Sequence, residues 1–273
     1  MSLQHSCLLK GKGDGGTNME MRNSQVFFKD VQGEIKEIVK LPDQGCTSEV
    51  SRIVTGDCTY LLKSALKEKY REWLKSEAKV LESLSLQRSI PVPKIYGFIE
   101  DEHASHLLMS FEKGMTLTAA LKNAGSTLEK QSLIRSFGQF IMQLHEQGPV
   151  FKTDSDWLET QLKRARVYAE SGQADGSLEL LEQLVANKPS YVKQTMIHGD
   201  CTTDNVMVID GEVRIFIDVA GMTLGDPRYD EALATRKIRN NAEFLAAFYE
   251  GYTRHRVTEE EFRYFEEGLY EFF

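Results

Sequence analysis

IHGDCTTDNVMVIDGEVRIFID, residues 197–218 of a 273-residue chain, reads as a polar loop followed by a β-hairpin. Asp210-Gly211, between the apolar runs 206–209 and 213–217, signals a two-residue hairpin turn, because both residues tolerate positive φ. Counting outward from that turn pairs Ile209 with Glu212 and Val208 with Val213, and brings Asn205 opposite Phe216. Side chains alternate along a strand, so Phe216 and Asp218 share a face. Asn205 and Asp218 then project from one face as diagonal neighbours, roughly 7–8 Å apart at the backbone. An amide oxygen and a carboxylate converging this way suit a hard cation such as Mg²⁺. Asp200, on the loop leading into the hairpin, can accept or orient the proton of an attacking hydroxyl. A metal for the phosphates and a base for the nucleophile are the set that phosphoryl transfer requires. Taken singly these residues are ordinary turn formers, and His198 is a hydrogen-bonded structural residue more often than a ligand. Their joint spacing in one hairpin carries the functional reading.

Working outward, residues 1–24 are polar and Gly-rich. The run 11–16 formally matches GxGxxG, but no apolar strand precedes it and no helical pattern follows, so a flexible tail is expected there. Short strands are expected at 26–28, 35–39, 50–54 and 60–63, punctuated by Gly33, Gly45 and Gly56-Asp57. A helix follows over 67–86 and Pro91-Val92-Pro93 breaks it. Strands are expected at 95–99 and 107–111, then helices at 116–123, 128–147, 155–170 and 177–187, and again from 228 onward. A β-rich first third and an α-rich remainder predict an α+β fold of two lobes rather than alternating βαβ units. The expected division is a tail at 1–24, a nucleotide-binding lobe with its hinge at 25–112, and a helical lobe at 113–273 that carries the catalytic loop and the substrate site.

His198-Gly199-Asp200 with Asn205, then Ile217-Asp218, resembles the catalytic and metal-binding segments of the aminoglycoside phosphotransferase family. These are relatives of the protein kinases, and choline- and sugar-type kinases belong with them. Gly225-Asp226-Pro227-Arg228-Tyr229-Asp230 resembles the segment that follows the metal-binding aspartate. The resemblance implies a two-lobed, protein-kinase-like fold. It implies Asp200 as the catalytic base, Asn205 and Asp218 as Mg²⁺ ligands, and ATP as the phosphoryl donor. Gly199 stands where protein kinases carry the arginine of their HRD motif, which favours a small-molecule enzyme.

A kinase-like lobe needs a cation on the nucleotide phosphates held by a helical acid. Lys63 ends the strand 60–63. Glu77 lies on the apolar stripe of the helix that follows, flanked by Leu74, Ala78 and Leu81. A carboxylate on a buried stripe needs a partner, and Lys63 is the candidate. The turn 43–50 has one glycine, and the family resemblance implies a hydroxyl residue there, Thr47 or Ser48, near the phosphates. The segment 107–114 resembles an interlobe hinge, with adenine bonded to backbone near Ser110, Phe111 and Glu112. His145 is expected to pack rather than to catalyse.

On the acceptor side, the segment 268–273 resembles the tail of aminoglycoside 3′-phosphotransferases, which implies Glu271 and Phe273 as substrate contacts. Asn240 and Asn241 stand where those enzymes carry substrate-binding acids, which removes two charges from the expected pocket. Asp175, Glu179 and Glu182 of the 152–195 insert are further candidate contacts.

Thirty-three basic against 41 acidic residues leave a net charge of −8, which disfavours nucleic acid and suits a cationic acceptor. Cys7, Cys46, Cys58 and Cys201 have neither metal-site nor disulfide-framework spacing and read as reduced thiols. With no membrane-spanning apolar run and no signal-peptide core, the expectation is a cytoplasmic protein without membrane partners, its oligomeric state open and a monomer favoured. The reading is an ATP- and Mg²⁺-dependent phosphotransferase acting on a small-molecule hydroxyl, with aminoglycosides, choline, sugars and macrolides as acceptor classes. The alternatives are a catalytically silent nucleotide-binding regulator and a protein kinase. The first has no need of Asp200; the second lacks the HRD arginine, a DFG motif and an APE segment.

Overall fold

The computed structural model describes residues 31, 33–42, 44–45, 47–86, 89–151 and 155–273. The tail expected at 1–24, the glycines at 11–16, the strand expected at 26–28, and Asp43 and Cys46 lie outside the described residues. Contacts divide the chain into two compact units. One runs up to Glu82 and resumes over Pro93–Glu112; the other comprises Ser83–Val92 and Lys113–Phe273.

The first unit is an antiparallel sheet of β1 (Ile35–Lys40), β2 (Glu49–Thr55), β3 (Thr59–Ala65), β4 (Ile95–Glu100) and β5 (Ser105–Ser110), in the order β1-β2-β3-β5-β4. The period-two pattern of β2 and β3 buries Ile53, Tyr60 and Leu62 beside Leu108 of β5. Full burial of a side chain of this size contributes about 1.5–3 kcal/mol. Helix α1 (Glu68–Ser85) buries Leu74, Glu77, Ala78 and Leu81 on one stripe. Polar bonds tie α1 to the β4–β5 turn: Arg71 Nη1 donates to the Glu102 carbonyl at 3.1 Å, and Lys75 pairs with Glu100 at 2.8 Å.

The second unit is mainly helical. Its helices are α2 (Leu117–Asn123), α3 (Thr127–Glu146), α4 (Trp157–Glu170), α5 (Leu178–Ala186), α6 (Pro227–Thr235), α7 (Ala242–Gly251) and α8 (Glu259–Phe265). Side-chain oxygens of Thr116, Ser126, Asp156, Ser177, Asp226, Asn241 and Thr258 cap their N-termini, which satisfies amide donors that the helix leaves unpaired. One buried cluster gathers Trp157, Leu181, Tyr229, Phe265, Leu269 and Phe272. In another part of the unit, Phe137 of α3 meets Phe248 of α7 edge-to-face at 6.0 Å. No helix among the described residues is long and apolar enough to cross a membrane.

Three short strands were not anticipated: β6 (Met115–Thr116), β7 (Thr195–Ile197) and β10 (Thr223–Gly225). β7 pairs with β10, and β6 borders the hairpin of β8 (Val206–Ile209) and β9 (Glu212–Phe216). The hairpin turn is as expected, with positive φ at Asp210 and Gly211. Its register is not. A bulge leaves Met207 opposite Ile215 and Val208 opposite Val213, with Arg214 as the extra residue. Val206 therefore faces Phe216, and the Asn205 carbonyl accepts the Ile217 N–H at 3.0 Å. Counting from the turn assumes an unbroken ladder, and one inserted residue moves every later pair by one. The correction places Asn205 nearer to Asp218 along the ladder than the expected pairing with Phe216 does.

Candidate active site

The loop after β7 is held from three sides. Gly199 has φ +82°, and a methyl group there would lie 2.3 Å from the Gly221 carbonyl oxygen. Only glycine permits that backbone and that approach together. Asp230 of α6 accepts the His198 N–H at 2.6 Å and the Gly199 N–H at 2.8 Å. His145 of α3 bonds the same carboxylate through Nε2 at 3.2 Å, while its Nδ1 meets the Tyr252 hydroxyl at 2.9 Å. The His198 ring is a bridge: Nδ1 accepts the Asp200 N–H at 3.2 Å, and Nε2 donates to the Ile217 carbonyl at 2.9 Å. Both histidines are buried and structural.

That frame presents Asp200. Its Oδ2 accepts from Asn205 Nδ2 at 2.8 Å, and its Oδ1 accepts from the Tyr270 hydroxyl at 3.3 Å. Burial pushes the Asp200 carboxyl above the ordinary carboxylate range. Nearby Asp218 adds to this, while His198, Asn205 and Tyr270 act the other way. Asp218, two residues past β9, lies in the left-handed region, at φ 57° and ψ 48°. Such a conformation is uncommon outside glycine and concentrates at functional sites. Asn205 Nδ2 also donates to the Asp200 carbonyl at 2.8 Å, so both bonds of its amide nitrogen go to Asp200 and fix the amide's orientation. An amide oxygen with carboxylates alongside is a donor set that fits Mg²⁺, which takes one or two carboxylates and completes its shell with water and phosphate.

In the first unit, Lys63 Nζ donates to both oxygens of Glu77, at 2.7 and 2.9 Å, with both side chains buried. In the β1–β2 turn, Gln44 Nε2 donates to the Leu41 and Val50 carbonyls and its Oε1 accepts the Val50 N–H at 2.9 Å. Thr47 and Ser48 are half-buried beside it. The Ser110 hydroxyl donates to the Glu112 carboxylate and accepts the Lys94 N–H at 2.8 Å. Phe111 lies under the Arg52 guanidinium at 6.0 Å.

A groove of about 760 Å³ opens in the second unit. Its charged lining is Arg236, Arg239, Arg256, Glu259, Glu266 and Glu267. Three guanidinium groups rest on aromatic rings: Arg236 on Tyr270 (5.1 Å), Arg239 on Phe262 (4.0 Å) and Arg256 on Tyr249 (4.8 Å). Arg236 links this groove to Asp200, because the ring it covers is the one whose hydroxyl bonds Oδ1. Tyr270 lies in the 3₁₀ turn Leu269–Phe272, whose Leu269 and Phe272 are fully buried. On the same turn Glu271 is exposed, and its carbonyl accepts the Asp175 and Gly176 N–H groups. The Phe273 ring meets Tyr168 edge-to-face, under Arg164. Glu182 pairs with Arg166 at 2.6 Å.

A model of the phosphotransferase enzyme family matches residues 38–265. The chain belongs to that family. An aminoglycoside 3′-phosphotransferase of Enterococcus faecalis is 27% identical over 171 residues, 58% of this chain and 63% of that one. The chain thus spans less than two thirds of that relative's length. An aminoglycoside 3′-phosphotransferase of Streptomyces fradiae is 26% identical over 213 residues, 71% of this chain and 77% of the relative. Among solved structures, the type VIII aminoglycoside-3′-phosphotransferase superposes with a TM-score of 0.73 at 23% identity, over 87% of this chain and 93% of that one. At that identity the likeness is one of fold.

The resemblance read from residues 198–230 to aminoglycoside phosphotransferases is therefore borne out, as is the kinase-like α+β fold. Within this family member, Asp200, Asn205, Asp218 and Tyr270 form one cluster, and Lys63 and Glu77 form another. Sequence reasoning passed over Tyr270, Arg236 and the groove. The only signal was position: Tyr270 sits in the tail singled out for Glu271 and Phe273, and Arg236 in the segment singled out for Asn240 and Asn241.

Proposed function

We propose that this family member transfers the γ-phosphoryl group of Mg²⁺-ATP to a hydroxyl of a small molecule, with Asp200 as the base. The carrying observation is the Asp200 carboxylate itself: it is half-buried, held on Oδ2 by Asn205, and bonded on Oδ1 to the Tyr270 hydroxyl. Asp200 takes the proton of the acceptor hydroxyl as that oxygen attacks phosphorus. Asn205 holds the carboxylate through Nδ2 and leaves its amide oxygen, with Asp218, for the metal. Bound there, Mg²⁺ neutralises the phosphate charge. Lys63, oriented by Glu77, binds the α/β-phosphates, and Thr47 and Ser48 supply donors in the β1–β2 turn. The backbone near Ser110, Phe111 and Glu112 receives the adenine. The groove admits the acceptor, with Glu271 and Phe273 as outer contacts.

The balanced lining of that groove, three arginines beside three glutamates, favours a neutral or mixed-charge acceptor over a polycation. Aminoglycosides stay in the test because the similar chains are named aminoglycoside 3′-phosphotransferases. A silent nucleotide-binding regulator would have no use for an oriented base. The deciding experiment measures ADP release from Mg²⁺-ATP across aminoglycosides, macrolides, choline and sugars, for the wild type and Asp200→Ala. A positioned base contributes about 100- to 10,000-fold. Turnover with one class, reduced by that factor in the variant, is expected. ATP binding without turnover on any of them would replace this reading with the regulator.

A further inference from the structure

The 3₁₀ turn Leu269–Phe272 delivers a hydroxyl to Asp200 that none of the site roles above uses. Tyr270 OH donates to Oδ1 at 3.3 Å, in the manner of an acceptor hydroxyl awaiting deprotonation. The placement is built. Leu269 and Phe272, on either side, are fully buried, and Gly176 and Asp175 hold the Glu271 carbonyl at 2.9 and 3.1 Å. Arg236 covers the ring and is itself held by Glu266 at 3.0 Å. Burial, reinforced by the charge of Asp200, pushes the phenol up, so it stays protonated and remains a donor. At 3.3 Å the bond is long for O–H···O, weak enough to exchange for a better-placed hydroxyl.

We propose that Tyr270 is a positioning residue that occupies the acceptor's place on Asp200 Oδ1 and keeps water off the base until the acceptor displaces it. This rests on the reading of Asp200 as the base. Arg236 lies both on the groove and on the ring, so an acceptor entering the groove meets the side chain that holds the phenol. The reaction being suppressed is hydrolysis. A water oxygen would bond to the γ-phosphorus, the bond from that phosphorus to the β,γ-bridging oxygen would break, the water proton would pass to Asp200, and ADP and phosphate would leave.

The test needs no knowledge of the acceptor. Phosphate release from Mg²⁺-ATP alone is measured for the wild type, Tyr270→Phe, Asp200→Asn and the double variant, with ATP affinity from calorimetry and folding from thermal melting. Tyr270→Phe keeps the ring and removes the donor. Release is expected to rise about fivefold, the equivalent of one hydrogen bond, with ATP affinity unchanged, and to vanish whenever Asp200 is replaced. Arg236→Gln, which uncovers the ring, should raise release in the same direction. A merely structural role would lower release in both variants. Asp200-dependent release that Tyr270→Phe and Arg236→Gln leave unchanged or lower overturns this inference and leaves the base in place. ATP binding without release from any variant overturns the inference too. Failure of the wild type to bind Mg²⁺-ATP overturns the phosphotransferase reading as well.

Discussion

Removing one partner of the Lys63–Glu77 pair tests the first unit at its most sensitive point. The two bonds are 2.7 and 2.9 Å long, and the side chains are only 9% and 7% exposed. Glu77→Leu takes from the buried Lys63 ammonium the carboxylate that both of these bonds reach, and Lys63→Met takes that cation from Glu77. Breaking a buried pair from one side costs about 3–5 kcal/mol, whereas replacing both partners by apolar groups of similar volume is often near neutral. The double variant should therefore be more stable than either single one, with a coupling energy of about 3 kcal/mol or more. Urea unfolding of the full chain, followed through Trp73 on the same helix, measures this as a shift of midpoint at constant slope. Calorimetry with Mg²⁺-ATP supplies the second axis: both single variants should bind more weakly, and the double variant should regain stability without regaining affinity. Additive losses in the double variant would refute the coupling. Unchanged ATP affinity in a folded Lys63→Met variant would refute the nucleotide role.

Two further predictions concern the second unit. Gly199→Ala adds left-handed backbone strain of about 1–2 kcal/mol to a 2.3 Å overlap with Gly221, which should raise the total to about 2–5 kcal/mol and reduce turnover. Gly172→Ala, at φ +68° with open space around its Cβ, incurs the backbone part alone, so equal losses in the two urea titrations would discount the overlap. Acid stability should follow Glu261. Desolvation works to raise its carboxyl, but the Thr258 N–H, Arg228 and His255 outweigh it and hold the carboxyl at about 2, below its ordinary 4.5. A depressed folded-state value gives stability that is complete above pH 4.5 and lost as pH falls toward 2. Glu261→Gln should flatten the unfolding profile in that window, and a profile as steep as the wild type's would contradict the assignment.

Local chemistry was enough for most elements. The Asp210-Gly211 turn announced its hairpin, because a turn with two positive φ values accepts few residue pairs. The stripe of Leu74, Ala78 and Leu81 set the buried face of α1, and with it the burial of Glu77 and its need for a cation. The polar residues at 198–205 and at 217–218 could be read together because they lie on one hairpin and the loop that feeds it. The strands β6, β7 and β10 escaped notice because two or three residues carry no periodicity; pairing alone makes them strands. The slipped register escaped for a related reason, since a bulge at Arg214 leaves the alternation of apolar residues nearly unchanged.

Sequence by itself determined the family, the candidate cluster of Asp200, Asn205 and Asp218, and the Lys63–Glu77 pair, because each is encoded in short spacings or in one amphipathic face. Only the tertiary structure decided that Asp230 and His145 hold the loop at 198–200, that Gly199 and Gly221 touch, and that Tyr270 reaches Asp200 from seventy positions away. Those contacts join segments distant along the chain. Packing of α6 and of the closing 3₁₀ turn creates them, and no local pattern of residues specifies which distant partner a buried polar group will find.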